Sequence, residues 1–214
     1  GAAGVDGEVG VAVETENGKG SSSEAVTGSL SANNLNITTR SDANFEGTQV
    51  EATDSANLDI GGDLNITAAA NTEQESANST SVEVNAEASS SGEFAADAAV
   101  AVGDEQSSSS EAVVSTFNVG NLNVTTGGDA NFEGTEVNAE GQASLDIGGD
   151  LNVTAAANTA QSSENSVEVE AGIEVGDGFD LSAEVGVSQA NEQSSEAVAG
   201  AFNVGGLDIR TGGD

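Results

Sequence analysis

The chain has 214 residues, with 37 Asp and Glu against three basic side chains, Lys19, Arg40 and Arg210, for a formal charge of −34. So anionic a surface repels phosphate and has almost no cations with which to displace counterions, which excludes nucleic acid as a partner. His, Cys, Met, Trp, Tyr and Pro are all absent, which removes imidazole and thiol nucleophiles, imidazole bases, disulfides, and thiolate or imidazole metal sites.

High charge with 3% aromatic residues is also the composition of disordered chains, and hydrophobic periodicity decides between the two readings. Residues 1–33 read as the end of a preceding repeat, with Val9, Val11 and Val13 alternating before Ser21-Ser22-Ser23. Residues 34–120 form a first full repeat, 121–205 a second and 206–214 the start of a third, in one continuous solenoid. The segment 34–71 recurs at 121–158, 87 positions on, with 28 of 38 residues identical. Ile37 and Ile66 become Val124 and Val153, so β-branching is kept. A third copy opens at Gly206-Leu207-Asp208-Ile209 and runs to Thr211-Gly212-Gly213-Asp214. The chain therefore reads as a segment of a longer repetitive protein.

Each repeat begins with short alternations, Leu35-Asn36-Ile37, Leu58-Asp59-Ile60 and Leu64-Asn65-Ile66, broken by clusters such as Gly61-Gly62-Asp63. This is a strand-and-turn signal, and no stretch shows helical spacing. In the turns, Gly is expected to supply positive φ and Asp to cap the turn locally. Strands this short bury a face only if successive turns of roughly 20 residues stack as the coils of a β-solenoid. A period of about 86 residues would then hold about four coils and rise roughly 19 Å, at ~4.8 Å per coil. Equivalent acids, Glu46 with Glu133 and Asp59 with Asp146, would lie that far apart, beyond a Debye length of ~8 Å.

The second half of each repeat is longer and more regular. Val82, Val84, Ala86 and Ala88 alternate up to a break at Ser91-Gly92, then Phe94, Ala96, Ala98, Val100 and Val102 follow. In the next repeat Val167 to Val175 and Phe179 to Val187 flank Gly176-Asp177-Gly178. Each block reads as two strands joined by a tight turn, either continuing the coils or leaving them as a flap. The Ser-rich junctions, Ser107 to Ser110 above all, read as flexible.

Gly127-Gly128-Asp129-Ala130-Asn131-Phe132-Glu133-Gly134-Thr135-Glu136-Val137, followed by Leu145-Asp146-Ile147-Gly148-Gly149-Asp150-Leu151-Asn152-Val153, resembles the filamentous-haemagglutinin-type repeats of two-partner-secreted exoproteins. The first copy matches through Phe45 to Val50 and Gly61 to Leu64, but has Arg40-Ser41-Asp42 where the second has Gly-Gly-Asp. The Ala69-to-Thr72 and Ala156-to-Thr159 exits, the Ser-rich stretch and the Val-alternating block are similar to the longer repeats of contact-dependent growth-inhibition exoproteins. The resemblance implies an all-β chain, a right-handed parallel β-helix (β-solenoid) with hairpin-like insertions in each repeat. It further implies secretion to the surface of a Gram-negative-type bacterium through an outer-membrane transporter, and a fibre used in adhesion to a target-cell receptor or glycan or in toxin delivery.

Six phenylalanines, Phe45, Phe94, Phe117, Phe132, Phe179 and Phe202, are expected to fill the solenoid core. Gly176-Asp177-Gly178-Phe179-Asp180-Leu181 faintly matches a Gly/Asp-rich calcium repeat, but a turn is the better reading; weak binding of Ca²⁺ or salt cations is the only cation expectation. Asn-x-Ser/Thr sequons at Asn36, Asn65, Asn78, Asn123 and Asn152 are possible glycosylation sites, against the plainer reading of outward ladder residues. Acidic positions repeat with the scaffold, as a solvated face does and a catalytic pair does not. No residue is expected to be catalytic or to hold a cofactor or metal. Three readings remain: a stalk of a surface exoprotein; a direct glycan-, receptor- or calcium-binding module; and, last, a polysaccharide-active β-helix.

Overall fold

Alternation such as Val50-Glu51-Ala52 puts every second side chain on one face of an extended chain. The structure, a computed structural model that describes residues 6–213, is built of strands, with no helix among the described residues. Residues 1–5 and Asp214, parts of the first and last segments expected from the repeats, lie outside the described residues. The strands are β1 (Gly7–Ser23), β2 (Ser29–Thr39), β3 (Ala43–Glu46), β4 (Gln49–Ile60), β5 (Leu64–Thr67), β6 (Ala69–Ala88) and β7 (Phe94–Val113). There follow β8 (Ser115–Thr126), β9 (Ala130–Glu133), β10 (Thr135–Ile147), β11 (Leu151–Thr154), β12 (Ala156–Val175), β13 (Phe179–Val198) and β14 (Ala201–Thr211).

The chain divides into two compact units, each drawing on several repeats. The coil unit comprises Ser22–Thr72, Ser109–Thr159 and the chain from Ser194 on. Its two sheets run β14-β10-β8-β4-β2 and β11-β9-β5-β3, with parallel pairing throughout. Asn34 pairs with Ser55, 21 residues on, and Ser115 with Thr135, 20 on, whereas Gln49 pairs with Thr116, 67 on. Each repeat therefore holds two coils, not four, because its Val-alternating half folds back on itself instead of coiling. A repeat adds roughly 9.6 Å to the stack at ~4.8 Å per coil. The register shifts in mid-strand, between Ala52 and Ser55 and between Ala139 and Gln142, mark a corner in each coil.

Between the two parallel sheets lies an apolar core that includes Val50, Leu58, Ile60, Leu64, Ile66, Phe117, Phe132 and Leu145, none more than 2% exposed. Phe117 meets Phe45 edge-on at 5.9 Å, and Phe132 meets Phe202 at 5.2 Å. Buried polar groups are paired: the Ser115 hydroxyl donates to the Thr67 carbonyl and accepts from the Thr48 amide.

The Gly-Gly-Asp turns stack coil on coil, and two sequence expectations about them are corrected. Positive φ occurs at Gly47, Gly92 and Gly134, not at the paired glycines. These are glycines because the neighbouring coil leaves no room for a Cβ: one on Gly61 would lie 2.7 Å from the Arg40 carbonyl oxygen, and one on Gly148 2.9 Å from that of Thr126. The aspartates do not cap their own turn. Asp42, Asp63 and Asp129 each accept the backbone N–H of the next aspartate in the stack, Asp63, Asp129 and Asp150, at 2.9 Å.

The hairpin unit, with chain up to Ser21, Glu73–Ser108 and Ala160–Gln193, is one five-stranded sheet in the order β1-β6-β7-β12-β13. Two hairpin turns belong to it, closed by the Ser89 amide on the Glu93 carbonyl and the Gly176 amide on that of Gly178. The joined strands are 20 residues long, and Ser107 to Ser110 lie inside β7 rather than in a flexible junction. A serine backbone pairs like any other when a partner strand lies on each side. Phe94 and Phe179 sit at the turn ends, 44% and 71% exposed, so these two are not core residues.

Candidate functional site

Four of the five sequons fall on outward positions of the parallel sheets, where the coils bring asparagines into contact. Asn57 donates to Asn36 and Asn123 to Asn57, both at 2.8 Å. A longer ladder runs Asn152 to Asn131 to Asn65 to Asn44, at 2.8–2.9 Å per step. A third links Asn203, Asn138 and Asn118. Such amide ladders tie parallel strands in register. The Nδ2 groups of Asn65, Asn123 and Asn152 are thus occupied as donors. Asn36 accepts from Asn57, and Asn78, exposed on β6, stands outside all of the ladders; a glycan on Nδ2 of Asn78 would break no ladder bond. The ladder partners Asn44, Asn57, Asn118, Asn131, Asn138 and Asn203 were not singled out from the sequence. Their signal is a spacing of 20 or 21, as in Asn36/Asn57 and Asn131/Asn152, hidden within the stronger 87-residue repeat.

In the hairpin unit, side chains facing each other across the strands set the register. Gly10 lies against Asn85 and Gly20 against Glu75, Gly103 against Ser79, Gly176 against Glu93, and Ser166 meets Ser188 at 2.7 Å. The sheet is therefore antiparallel. This register carries one apolar row through Val13, Val82, Val100, Val169 and Val185, with Val11, Val84, Val102, Val167 and Val187 on the same face. These valines are 38–68% exposed. Alternation turns the opposite face to Glu83, Asp97, Glu168, Glu170 and Glu184. The unit is an amphipathic sheet, apolar on one face, with Asp104 beside Val102 its exception, and acidic on the other.

No three carboxylates among the described residues converge on a point that would hold a metal ion. Arg210 contacts Asp208 at 2.8 Å, an exposed pair that contributes little.

Residues 9–169 match the family model described as hemagglutinin repeat. A protein named hemolysin from Serratia marcescens is 27% identical over 159 residues, which cover 71% of this chain and 10% of that protein. The chain thus spans about a tenth of the length of that relative. No solved structure matches the chain.

Proposed function

The chain belongs to the hemagglutinin-repeat family, and from that premise we propose that it is a stalk segment of a long secreted exoprotein, working at the cell surface in adhesion or in contact-dependent toxin delivery and having no catalytic role of its own. The observation that carries this reading is the parallel stacking of β2 to β5, β8 to β11 and β14 in one register, with Asn and Asp ladders joining successive coils. Each coil offers both edges to another coil, so repeats extend the stack without a new interface. The coils wind right-handed, as parallel crossovers do, and export runs through an outer-membrane transporter of the two-partner type. Chains with one, two and four added repeats, imaged by electron microscopy, are expected to lengthen by roughly 9.6 Å per repeat. A length independent of repeat number rejects the stalk.

The apolar face of the hairpin unit favours a second reading, contact with lipid during delivery. No helix among the described residues is long and apolar enough to cross a membrane, so lipid contact would fall to strands. Phe94–Val102, Val167–Val175 and Phe179–Val187 each alternate over nine residues, the length at which a tilted strand spans the hydrocarbon core, about 9–11 residues. Apolar and polar faces on antiparallel hairpins are also the pattern of membrane barrels. The chain is expected to float with phospholipid vesicles, and Val169→Glu with Val185→Glu to leave it at the bottom of the gradient. Equal flotation of parent and variant removes lipid from the reading.

A further inference from the structure

Beyond its valines, the apolar face of the hairpin unit changes character. Across the same five strands a cavity of about 540 Å³ opens, lined by Gln74, Gln106, Gln161, Gln193, Asn191 and Lys19 together with serines of the same strands. The register places these six side chains on one face. Glu75 and Glu192 also border the cavity, but alternation sends their carboxylates to the opposite face, where with Glu105 and Glu164 they line a second cavity of about 360 Å³.

We propose that the glutamine-lined trough is a binding site for a neutral polysaccharide, laid across the strands. The side-chain amides of Gln74, Gln106, Gln161, Gln193 and Asn191 make no hydrogen bond within the described residues. Each keeps a carbonyl oxygen and an NH₂ free, and a sugar hydroxyl, which both donates and accepts, answers both. The four glutamines come one from each of four neighbouring strands, in two adjacent rows, Gln74, Gln161 and Gln193 with Ser108 in one and Gln106 and Asn191 with Ser76 and Ser163 in the next, over a trough that crosses four inter-strand gaps, about 19 Å. Amides and hydroxyls spread over that length suit an extended polymer better than a compact molecule.

Charge narrows the ligand further. A polyanion meets the field of a chain at −34 with Lys19 as the one cation of the trough. A polycation is drawn to the acidic cavity on the other face. An uncharged, hydroxyl-rich chain is left, held by hydrogen bonds without an aromatic platform. The inference is independent of whether the coil unit serves as a stalk.

The test follows the side-chain amide signals of the ¹⁵N-labelled full chain by NMR during titration with oligomers of dextran, mannan, galactan and xylan, and with sialylated and glucosamine oligomers as charged controls. At least one neutral oligomer is expected to shift the trough amides, with affinity unchanged by NaCl. Gln106→Ala with Gln161→Ala is expected to weaken it by about tenfold while the circular dichroism spectrum stays that of the parent. Four results overturn the proposal: no shift with any neutral oligomer, equal affinity of the double variant, preference for a charged control, or amide shifts that track protein concentration alone, which assign the face to a second copy of the chain.

Discussion

Phe132→Ala is expected to destabilise the coil unit by about 3–5 kcal/mol, the range for deleting a buried aromatic side chain. Phe132 is 1% exposed, sits in β9 between Ile66 and Val153 of the neighbouring coils, and meets the Phe202 ring edge-on. The surrounding coils are tied by ladders and cannot collapse into the hole, so the cavity persists. At about 2–8 °C per kcal/mol, the range that spans domains smaller and larger than this unit, the melting temperature falls by about 10 °C or more. Phe179→Ala, at a turn end and 71% exposed, is expected to change stability by no more than about 0.5 kcal/mol. Thermal and urea denaturation of both variants check the pair; similar losses would mean that the two phenylalanines share one environment, contrary to the structure.

The second large effect is that of salt, and the structure locates it. In the coil unit, acids equivalent by repeat are only two coils apart, roughly 9.6 Å rather than 19 Å; in the turns Asp42, Asp63, Asp129 and Asp150 stack on successive coils, but in the strands a neutral residue stands between such acids. Glu46, Thr67, Glu133 and Thr154 succeed one another across β3, β5, β9 and β11, and Thr125 separates Asp59 from Asp146. In the hairpin unit most acids face Ala, Gly or Ser, but the register opposes Glu170 to Glu184, Glu174 to Asp180, Glu105 to Glu164 and Glu8 to Glu87. Two carboxylates at ~4.8 Å repel by just under ~1 kcal/mol in water, and the Debye length shrinks from about 30 Å at 0.01 M salt to 3 Å at 1 M. Raising NaCl from low to high is therefore expected to stabilise the coil unit through the three steps of its aspartate column and the hairpin unit by about 3 kcal/mol, on the order of 10 °C. Glu170→Gln with Glu174→Gln is expected to remove about half of that response. A melting profile indifferent to NaCl would show that these carboxylates do not interact.

Much of this was legible in the residues. Leu58-Asp59-Ile60 announces a strand with one buried face, and the alternation around Asn36, Asn65, Asn123 and Asn152 puts these four on the outward side of such strands. The turn at Gly176-Asp177-Gly178 was read where it occurs. Other features were legible only in part. Phe94 and Phe179 carry the same alternation as Phe132 yet stand exposed, because alternation says that a strand has an apolar face and not what that face meets. The paired glycines of Gly-Gly-Asp were attributed to backbone freedom when the cause is the carbonyl of another coil, 21 residues away in sequence and in contact only after folding. The trough was unread because Gln74, Gln106, Gln161 and Gln193 are scattered along the chain and converge only through the register of four strands.

By itself the sequence determined the all-β class, the 87-residue repeat, the inward and outward sides of each strand, and the exclusion of imidazole and thiol chemistry, because these follow from local periodicity and composition. The tertiary structure alone decided that each repeat spends half its length on two coils and half on a hairpin, that the hairpins of successive repeats join one antiparallel sheet, and that threonine separates Glu46 from Glu133 and Asp59 from Asp146 while the turn aspartates stack. Those choices depend on which strands become neighbours. The alternation of residues is the same in a parallel coil and in an antiparallel hairpin, so only the pairing itself distinguishes them.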